Sequence, residues 1–464
     1  MKLNKKPDPI HTHEGGKATH INAEQQLRRS VMACMLWENE FYEDGQSIAK
    51  RISDAISKVN PEAVAQIAMD ARSKMKLRHI PLLIAREMAR LPEHKRLVAG
   101  VLMNIIQRPD ELSEFLALYW KEKKQPLSKQ VKRGLAGAFN KFDAYQLGKY
   151  NRDDAIKLRD VLFLCHAKPI GKEQGEVWKK LIDGTLESPD TWEVALSSGG
   201  DKKAHWERLL SENKLGALAL LRNLRNMKEA SVDFDMIRKA LVSMKVERVL
   251  PFRFIAAARY APQWEQELET AMLKCLGVQE KLPGHTVLLV DVSGSMDHPV
   301  SSKSDITRMD AACGVAMLAR EICDRVDIFT FSDKLVQIPA RRGFALRDAA
   351  VNSQTHNGTP LGLAVKCIYA DTGFHETGNL YHGYNNKADY KGQNLRPDRL
   401  IVITDEQSRD SIPSPIGKGY MINVASNQNG VGYGAWNHID GWSEAVIDYI
   451  REYERSFNGS TRQD

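Results

Sequence analysis

The spacing of apolar residues changes at Pro283-Gly284, and this change divides the chain into two parts that must fold differently. Before it, apolar residues recur every three or four positions, as in the segment Ser128–Phe142, which predicts one amphipathic helix after another. After it, short apolar runs with β-branched residues, such as His285–Val290, alternate with helical stretches. Such alternation is typical of a parallel sheet covered by helices on both faces. We therefore predict an α-helical array in the manner of HEAT repeats, followed by a doubly wound, mostly parallel α/β domain.

The same pattern sets the expected domain boundaries. The helical array covers residues 22–281 and the α/β domain residues 285–454, while residues 1–21 and 455–464 are expected to be flexible. The apolar content of 42% is too high for a disordered protein, and no run approaches the 18 apolar residues of a membrane span. The polar N-terminus does not resemble a secretory signal, and the six cysteines form no C-x-x-C pair. We expect a cytoplasmic protein with reduced thiols.

Positive charge is concentrated in the helical half. The whole chain carries +7, residues 1–284 carry +11 and residues 285–464 carry −4. Residues 71–150 alone hold 17 basic and 7 acidic side chains. A local excess of this size indicates a site for a polyanion such as a nucleic acid, although basic helices without any ligand are also common.

Three segments of the α/β domain carry oxygen ligands at positions where strands end or helices begin. Asp291 follows the first strand directly, with Ser293 and Ser295 in the turn after it. Thr359 precedes a helix, and Asp405 follows a later strand. Because the carboxyl ends of parallel strands meet at one edge, we expect these side chains to converge. Carboxylates and hydroxyls suit a hard divalent cation, most simply Mg²⁺.

The order D-x-S-x-S, then Thr, then Asp resembles the metal-ion-dependent adhesion site of von Willebrand factor A domains. The alternative for the first segment is a polar turn in which Asp291 caps a helix. A site of this kind leaves one coordination position open for an acidic ligand. We find no catalytic motif beside it, so we expect binding and not catalysis. The histidines His375 and His382 lie in a polar stretch that we interpret as an exposed loop.

Two basic clusters in the helical half could contact RNA. Their cations are Lys129, Lys132, Arg133, Lys149 and Arg152 in the segment 128–169, and Arg72, Lys76 and Arg78 earlier in the chain. The first cluster is interleaved with aromatic side chains, on which unpaired bases can stack. Helical spacing favours core positions for Phe139, Phe142 and Phe163, and leaves Tyr145 and Tyr150 more open. The alternative for the second cluster is a solvated helix end.

Four stretches of the helical half resemble the TROVE module of the Ro autoantigen proteins and their bacterial orthologues. They are KRGLAGAFNKFDAYQLGKYN, KLRDVLFLCHAKP, ALLRNLRNM and PFRFIAAARYAP. The resemblance implies a ring of helical repeats closed by the A domain, which binds small structured Y RNAs outside and single-stranded 3′ ends of misfolded RNAs in its hole. It implies roles for Lys149 and His166 in the outer site, whereas Asp153 stands where a basic residue is expected and Arg152 could replace it.

The resemblance also implies a monomer that acts in RNA quality control, with an exoribonuclease, polynucleotide phosphorylase, as a partner. The rival interpretation is a metal-dependent protein-interaction module. In that case the A domain captures an acidic ligand, and the helical half is only a scaffold.

Overall fold

The computed structural model describes residues 9–34, 36, 43–197, 200–246, 249, 251–276, 281–370, 392–443 and 445–460. The stretch with His375 and His382 lies outside the described residues. Among the described helices, none combines the length and apolar character needed to cross a bilayer.

The first half is an array of helices, as predicted. The helices are α1 (Ala23–Met32), α2 (Gly45–Ile56), α3 (Pro61–Ser73), α4 (His79–Arg90), α5 (Val98–Ile105), α6 (Asp110–Tyr119), α7 (Lys129–Phe139), α8 (Ala144–Tyr150), α9 (Leu158–Cys165), α10 (Lys172–Asp183), α11 (Trp192–Ser197), α12 (Lys202–Ser211), α13 (Ala217–Glu229), α14 (Phe234–Ser243), α15 (Pro251–Tyr260) and α16 (Glu265–Leu276). Helix α7 begins after Ser128, whose hydroxyl accepts a hydrogen bond from the backbone N–H of Val131 and so caps the helix.

The second half, which we call the A domain, alternates strands and helices. Its elements are β1 (Leu282–Asp291), α17 (Arg308–Ile322), β2 (Cys323–Phe331), β3 (Leu335–Ile338), α18 (Gly343–Val351), α19 (Leu361–Tyr369), β4 (Arg399–Thr404), β5 (Lys418–Asn423), β6 (Asn437–Asp440) and α20 (Ala445–Ser460). Within the described residues the sheet has six strands in the order β3-β2-β1-β4-β5-β6. Only the β2–β3 pair among them is antiparallel. The strand order reverses direction between β1 and β4, which is where doubly wound sheets bind their ligands.

The helical array closes into a ring because both of its ends pack on the A domain. On α1, the buried guanidinium of Arg29 forms an ion pair with the buried carboxylate of Glu406. At the other end, Arg259 of α15 forms an ion pair of 2.6 Å with Asp310 of α17. Apolar residues of the last helices join those on one face of the sheet in a single core, whereas the first ten helices share a core of their own.

The N-terminal arm, residues 9–20, differs from the prediction of a flexible segment. Thr12 is buried, and its hydroxyl donates a hydrogen bond of 2.7 Å to the carbonyl of Ser408 in the A domain. Gly16 packs so closely on the same loop that a Cβ there would lie 2.2 Å from the Ser408 carbonyl oxygen. Hydrogen bonds to the backbone of the A domain, which the apolar pattern does not reveal, therefore hold this polar arm in place.

Candidate functional site

The two predicted carboxylate ligands lie at adjacent strand ends. Asp291 ends β1 and Asp405 directly follows β4, and these strands pair in parallel with Val290 opposite Ile403. Both carboxylates are fully buried. The hydroxyl of Thr404 donates a hydrogen bond of 2.6 Å to Asp291 and so fixes one carboxylate against the neighbouring strand.

Hydrogen bonds bring the hydroxyl-bearing loops to these strand ends. The backbone N–H of Gly294 donates to the carbonyl of Asn357 at 3.0 Å, which joins the serine turn to the loop that carries Thr359. The carbonyl of Thr359 in turn accepts from the Ser408 hydroxyl at 3.0 Å, which joins that loop to the segment after Asp405. The hydroxyl oxygens of the two serines at 293 and 295 lie 3.3 Å apart. The three predicted segments therefore converge.

The donor set fits a hard divalent cation. Burial, and after it the charge of Asp405, raises the pKa of Asp291 above its usual range, so these two carboxylates are held together at an electrostatic cost. A cation with oxygen ligands would remove that cost, and hydroxyls and carboxylates are the ligands that Mg²⁺ accepts.

Arg308 is a residue of this site that the sequence did not reveal. It is the first residue of α17, is almost fully buried, and donates from Nη1 to a carboxylate oxygen of Asp405 at 3.0 Å. Its positive charge offsets part of the charge of the two carboxylates. The spacing between Arg308 and Asp405 is too long for a local pattern to indicate this pair.

The predicted outer RNA residues divide into two groups. Lys132 of α7 and His166, which caps the end of α9, are in contact, with Nζ of the lysine 3.3 Å from Nε2 of the ring. Lys129 and Arg133 lie exposed on α7 as well. Because an ammonium group can only donate, the ring nitrogen Nε2 is the acceptor, which leaves the Nδ1–H free to donate elsewhere. We call the exposed face formed by Lys129, Lys132, Arg133, Arg159, Phe163 and His166 the α7–α9 surface.

Lys149 and Arg152 do not contact that pair. The Nζ of Lys149 lies 3.7 Å from the carboxylate of Glu193 and 5.8 Å from the ring centroid of Tyr150. Arg152 is exposed just after α8. The family resemblance implies that the residues at 149 and 166 belong to the same outer RNA site. In the structure, however, their side chains contact different neighbours.

The aromatic residues of this region are placed partly as predicted. Phe139 and Phe142 are buried in the core, and Tyr145 is exposed. Tyr150 is half-buried beneath the guanidinium of Arg108, 4.6 Å from its ring centroid. The prediction that Phe163 lies in the core is wrong, because 56% of this residue is exposed.

The earlier basic cluster is mostly neutralised within the array. Arg72 is buried and donates to the carbonyl of Ile105 at 2.9 Å and to the carboxylate of Glu111 at 2.7 Å. Its predicted role on an RNA-binding surface is therefore corrected, since it joins helices instead. Arg78 is partly exposed but forms ion pairs with three carboxylates of α6, those of Asp110, Glu111 and Glu114.

Lys76 and Arg78 nevertheless line a cavity of 290 Å³ where the two ends of the array meet the A domain. Arg253 of α15 and Trp442 of the A domain also line it. Among the described side chains, no carboxylate pairs with Arg253, and burial, with a contribution from Arg222, lowers the pKa of this guanidinium. An uncompensated cation facing a cavity suits an anionic ligand. We call this space the junction cavity.

Comparisons with known proteins agree with this architecture. The chain is similar to Telomerase protein component 1 of Rattus norvegicus, with 22% identity over 52% of this chain and 13% of that protein. It is similar to the Mus musculus protein of the same name, with 33% identity over 18% of this chain and 4% of that protein. The chain thus spans a small part of the length of these curated relatives.

Among solved structures, the fold resembles that of the Deinococcus radiodurans RO (RSR) protein, with a TM-score of 0.56 and 17% identity over 91% of this chain and 97% of that one. The family model of the TROVE domain matches residues 17–185 and 184–304. These matches cover more than half of the sequence. The chain belongs to the TROVE domain family.

Proposed function

We propose that this protein binds small structured non-coding RNAs of the Y type on the α7–α9 surface. The observation that carries the proposal is the contact between Lys132 and His166 on an exposed face. No carboxylate among the described residues forms an ion pair with Lys132. Such a cation is available to phosphate, and the neighbouring ring offers a hydrogen-bond donor. Membership of the TROVE family supports the same role.

We further propose that the junction cavity receives single-stranded 3′ ends of misfolded RNAs. Its cations Lys76 and Arg253 would contact phosphates, and Trp442 offers an aromatic face. Arg78 lines the same space, but its charge is already taken up by three carboxylates of α6. In this proposal the protein is a cytoplasmic monomer without catalytic activity that serves RNA quality control. An exoribonuclease such as polynucleotide phosphorylase would then act on the RNA that it presents.

Sequencing of the RNA that co-purifies with the full chain tests which RNAs are bound, and anisotropy titrations test the surface. We expect Lys132→Ala combined with His166→Ala to weaken binding of a folded Y-like RNA far more than binding of a random polyanion. A plot of the logarithm of affinity against the logarithm of salt concentration should become shallower. Its slope should decrease in magnitude by about one for each lost phosphate contact. Lys239→Ala, an exposed lysine of α14, is the matched control. Equal losses for folded RNA, single strands and random polyanions would contradict the proposed site.

The candidate metal centre favours a second function, capture of an acidic protein ligand. We propose that Asp291, Ser293, Ser295, Thr359 and Asp405 hold Mg²⁺, which when bound offers a positive charge to a carboxylate. Binding of an immobilised glutamate-rich peptide should then require Mg²⁺ and be lost with EDTA. Binding of a single-stranded RNA should be insensitive to EDTA, because its proposed contacts lie outside the metal centre. Peptide binding that persists in EDTA would contradict this second function.

A further inference from the structure

A histidine of the A domain joins two of the loops that carry candidate metal ligands. In the sequence, His356 comes shortly before Thr359, and Asp297 comes shortly after Ser295. The ring nitrogen Nδ1 of His356 lies 2.9 Å and 2.8 Å from the two carboxylate oxygens of Asp297. The other ring nitrogen, Nε2, lies 2.8 Å from the carbonyl oxygen of Val351, the last residue of α18. One side chain therefore contacts the serine turn on one side and the end of a helix on the other.

The contacts of this ring determine its charge. An ionised carboxylate and a backbone carbonyl can only accept hydrogen bonds, so both ring nitrogens of His356 donate and the ring is positively charged. The charge is placed favourably, because it lies beside the Asp297 carboxylate and at the carboxyl end of α18, where the last carbonyls of a helix lack partners. The side chain of Asp297 is 52% exposed. Because exposed pairs contribute little to the stability of a fold, replacement of either residue should leave the A domain folded.

The two loops also meet through their backbones. The N–H of Gly294 donates to the carbonyl of Asn357, and a Cβ on Gly294 would lie 3.1 Å from the carbonyl oxygen of His356. The N–H of Asn357 donates to the hydroxyl of Ser332 at 2.8 Å, which ties the same loop to the end of β2. Residues 352–360, all of which the structure describes, form no helix or strand. Individual bonds of this kind therefore decide where Thr359 lies.

We propose that His356 is a positioning residue of the candidate metal centre, and that its bond to Asp297 holds the serine turn and the Thr359 loop at the spacing that one cation requires. This inference rests on the proposed metal centre and adds two residues that supply no ligand themselves. Mg²⁺ demands a nearly ideal octahedron of oxygen ligands, so a shift of either loop would weaken its binding. A link that does not depend on the metal also preorganises the site, so that less conformational freedom is lost on binding.

The charge of His356 gives the test a clear sign. A positive ring near a cation site repels the cation, so its removal would strengthen Mg²⁺ binding if charge alone mattered. His356→Ala should instead weaken Mg²⁺ binding in calorimetric titrations by about tenfold or more, the change that corresponds to loss of one charge-assisted hydrogen bond. His285→Ala is the matched control and should leave Mg²⁺ affinity unchanged. His285 pairs with Asp327 at 2.7 Å in the same domain, but towards the opposite end of β1 from Asp291.

Two conservative replacements separate the link between the loops from a cap on α18. The amide nitrogen of an asparagine side chain lies close to the position of Nδ1 in a histidine, and that of a glutamine lies close to the position of Nε2. His356→Asn therefore keeps a donor for Asp297 and should restore most of the Mg²⁺ affinity. His356→Gln keeps a donor for the carbonyl of Val351 and should not restore it. Without added metal, hydrogen exchange of residues 352–360 should be faster in His356→Ala than in His356→Asn.

The outcomes distinguish this inference from the metal centre on which it rests. Unchanged or tighter Mg²⁺ binding in His356→Ala, or an equal loss in His285→Ala, would overturn the inference while the metal centre stands. Failure of His356→Asn to bind Mg²⁺ more tightly than His356→Gln would also overturn it, because the link to Asp297 would then have no special part. If the unaltered protein binds no Mg²⁺, the proposed metal centre is wrong, and this inference with it.

Discussion

Replacement of Arg29 by Met should detach the first helix of the ring from the A domain. The guanidinium of Arg29 is fully buried, forms an ion pair with Glu406, and donates to the carbonyls of Asn427 at 2.6 Å and Asn429 at 3.1 Å. Arg29→Met would leave a buried carboxylate without this partner and two carbonyls without a donor. Removal of one member of a buried ion pair costs about 3–5 kcal/mol, so we expect a loss of that size in the free energy of unfolding.

Equilibrium unfolding in urea measures this loss, and hydrogen exchange of α1 locates it. Arg96→Met is the matched control, because Arg96 pairs with Glu62 on the surface and such pairs contribute about 0–1 kcal/mol. Addition of Glu406→Gln to Arg29→Met should recover part of the loss, since the buried carboxylate that has lost Arg29 is then removed, while His438 keeps Asp440 as its partner. A loss for Arg29→Met no larger than that for Arg96→Met would refute the reasoning.

Two further predictions concern the A domain. Asp291→Ala should abolish Mg²⁺ binding in calorimetric titrations. It should leave RNA affinity nearly unchanged, because the proposed RNA contacts lie elsewhere. A parallel loss of RNA affinity in a variant that still folds would contradict this prediction. Burial lowers the pKa of His438, but the carboxylates of Asp440 and Glu406 outweigh burial and raise it to about 9. Because this value lies above the unfolded value of 6.5, the stabilisation is complete below pH 6.5 and is lost as the pH rises through 9, by on the order of 3 kcal/mol. Urea midpoints measured from pH 6 to 9.5 should fall for the unaltered protein, and an equal fall in His438→Asn would contradict the assignment.

The convergence of the candidate metal ligands could be predicted from the sequence because it depends on regular geometry. Parallel strands place their carboxyl ends at one edge, so Asp291 and Asp405 had to be neighbours once their strands were recognised. Arg308 could not be found in this way. It reaches Asp405 because α17 packs across the sheet, and no local pattern encodes that approach.

Predictions from local charge and local apolar spacing were less reliable in the helical half. Arg72 was counted with an exposed basic cluster, yet its carboxylate partner, Glu111, lies 39 residues away in the sequence. Phe163 was assigned to the core by its spacing, but α9 has only eight residues and several apolar neighbours, so the pattern does not determine which of them face inward. Long-range partners and short helices limit what spacing alone can show.

A single short segment carries both a candidate metal ligand and the contact between the two halves of the molecule. Asp405 supplies a candidate metal ligand, and Glu406, the next residue, holds Arg29 of α1. Glu406 has a positive φ of 61°, a strained conformation for this residue type, and the backbone N–H of Gln407 donates to the Asp405 carboxylate at 3.2 Å. The Asp405 side chain therefore shapes the turn that presents Glu406 to the helical array.

This arrangement predicts different effects for the two carboxylates of the candidate metal centre. Asp405→Asn should increase hydrogen exchange in α1, because the turn that carries Glu406 loses an accepting charge. Asp291→Asn should impair Mg²⁺ binding to a similar extent without this effect, since Asp291 is bonded within the sheet and its own turn. Exchange measured by mass spectrometry without added metal separates the two variants. Equal exchange in α1 for both would mean that the turn is held by Arg29 alone, and that the metal centre and the ring contact are independent.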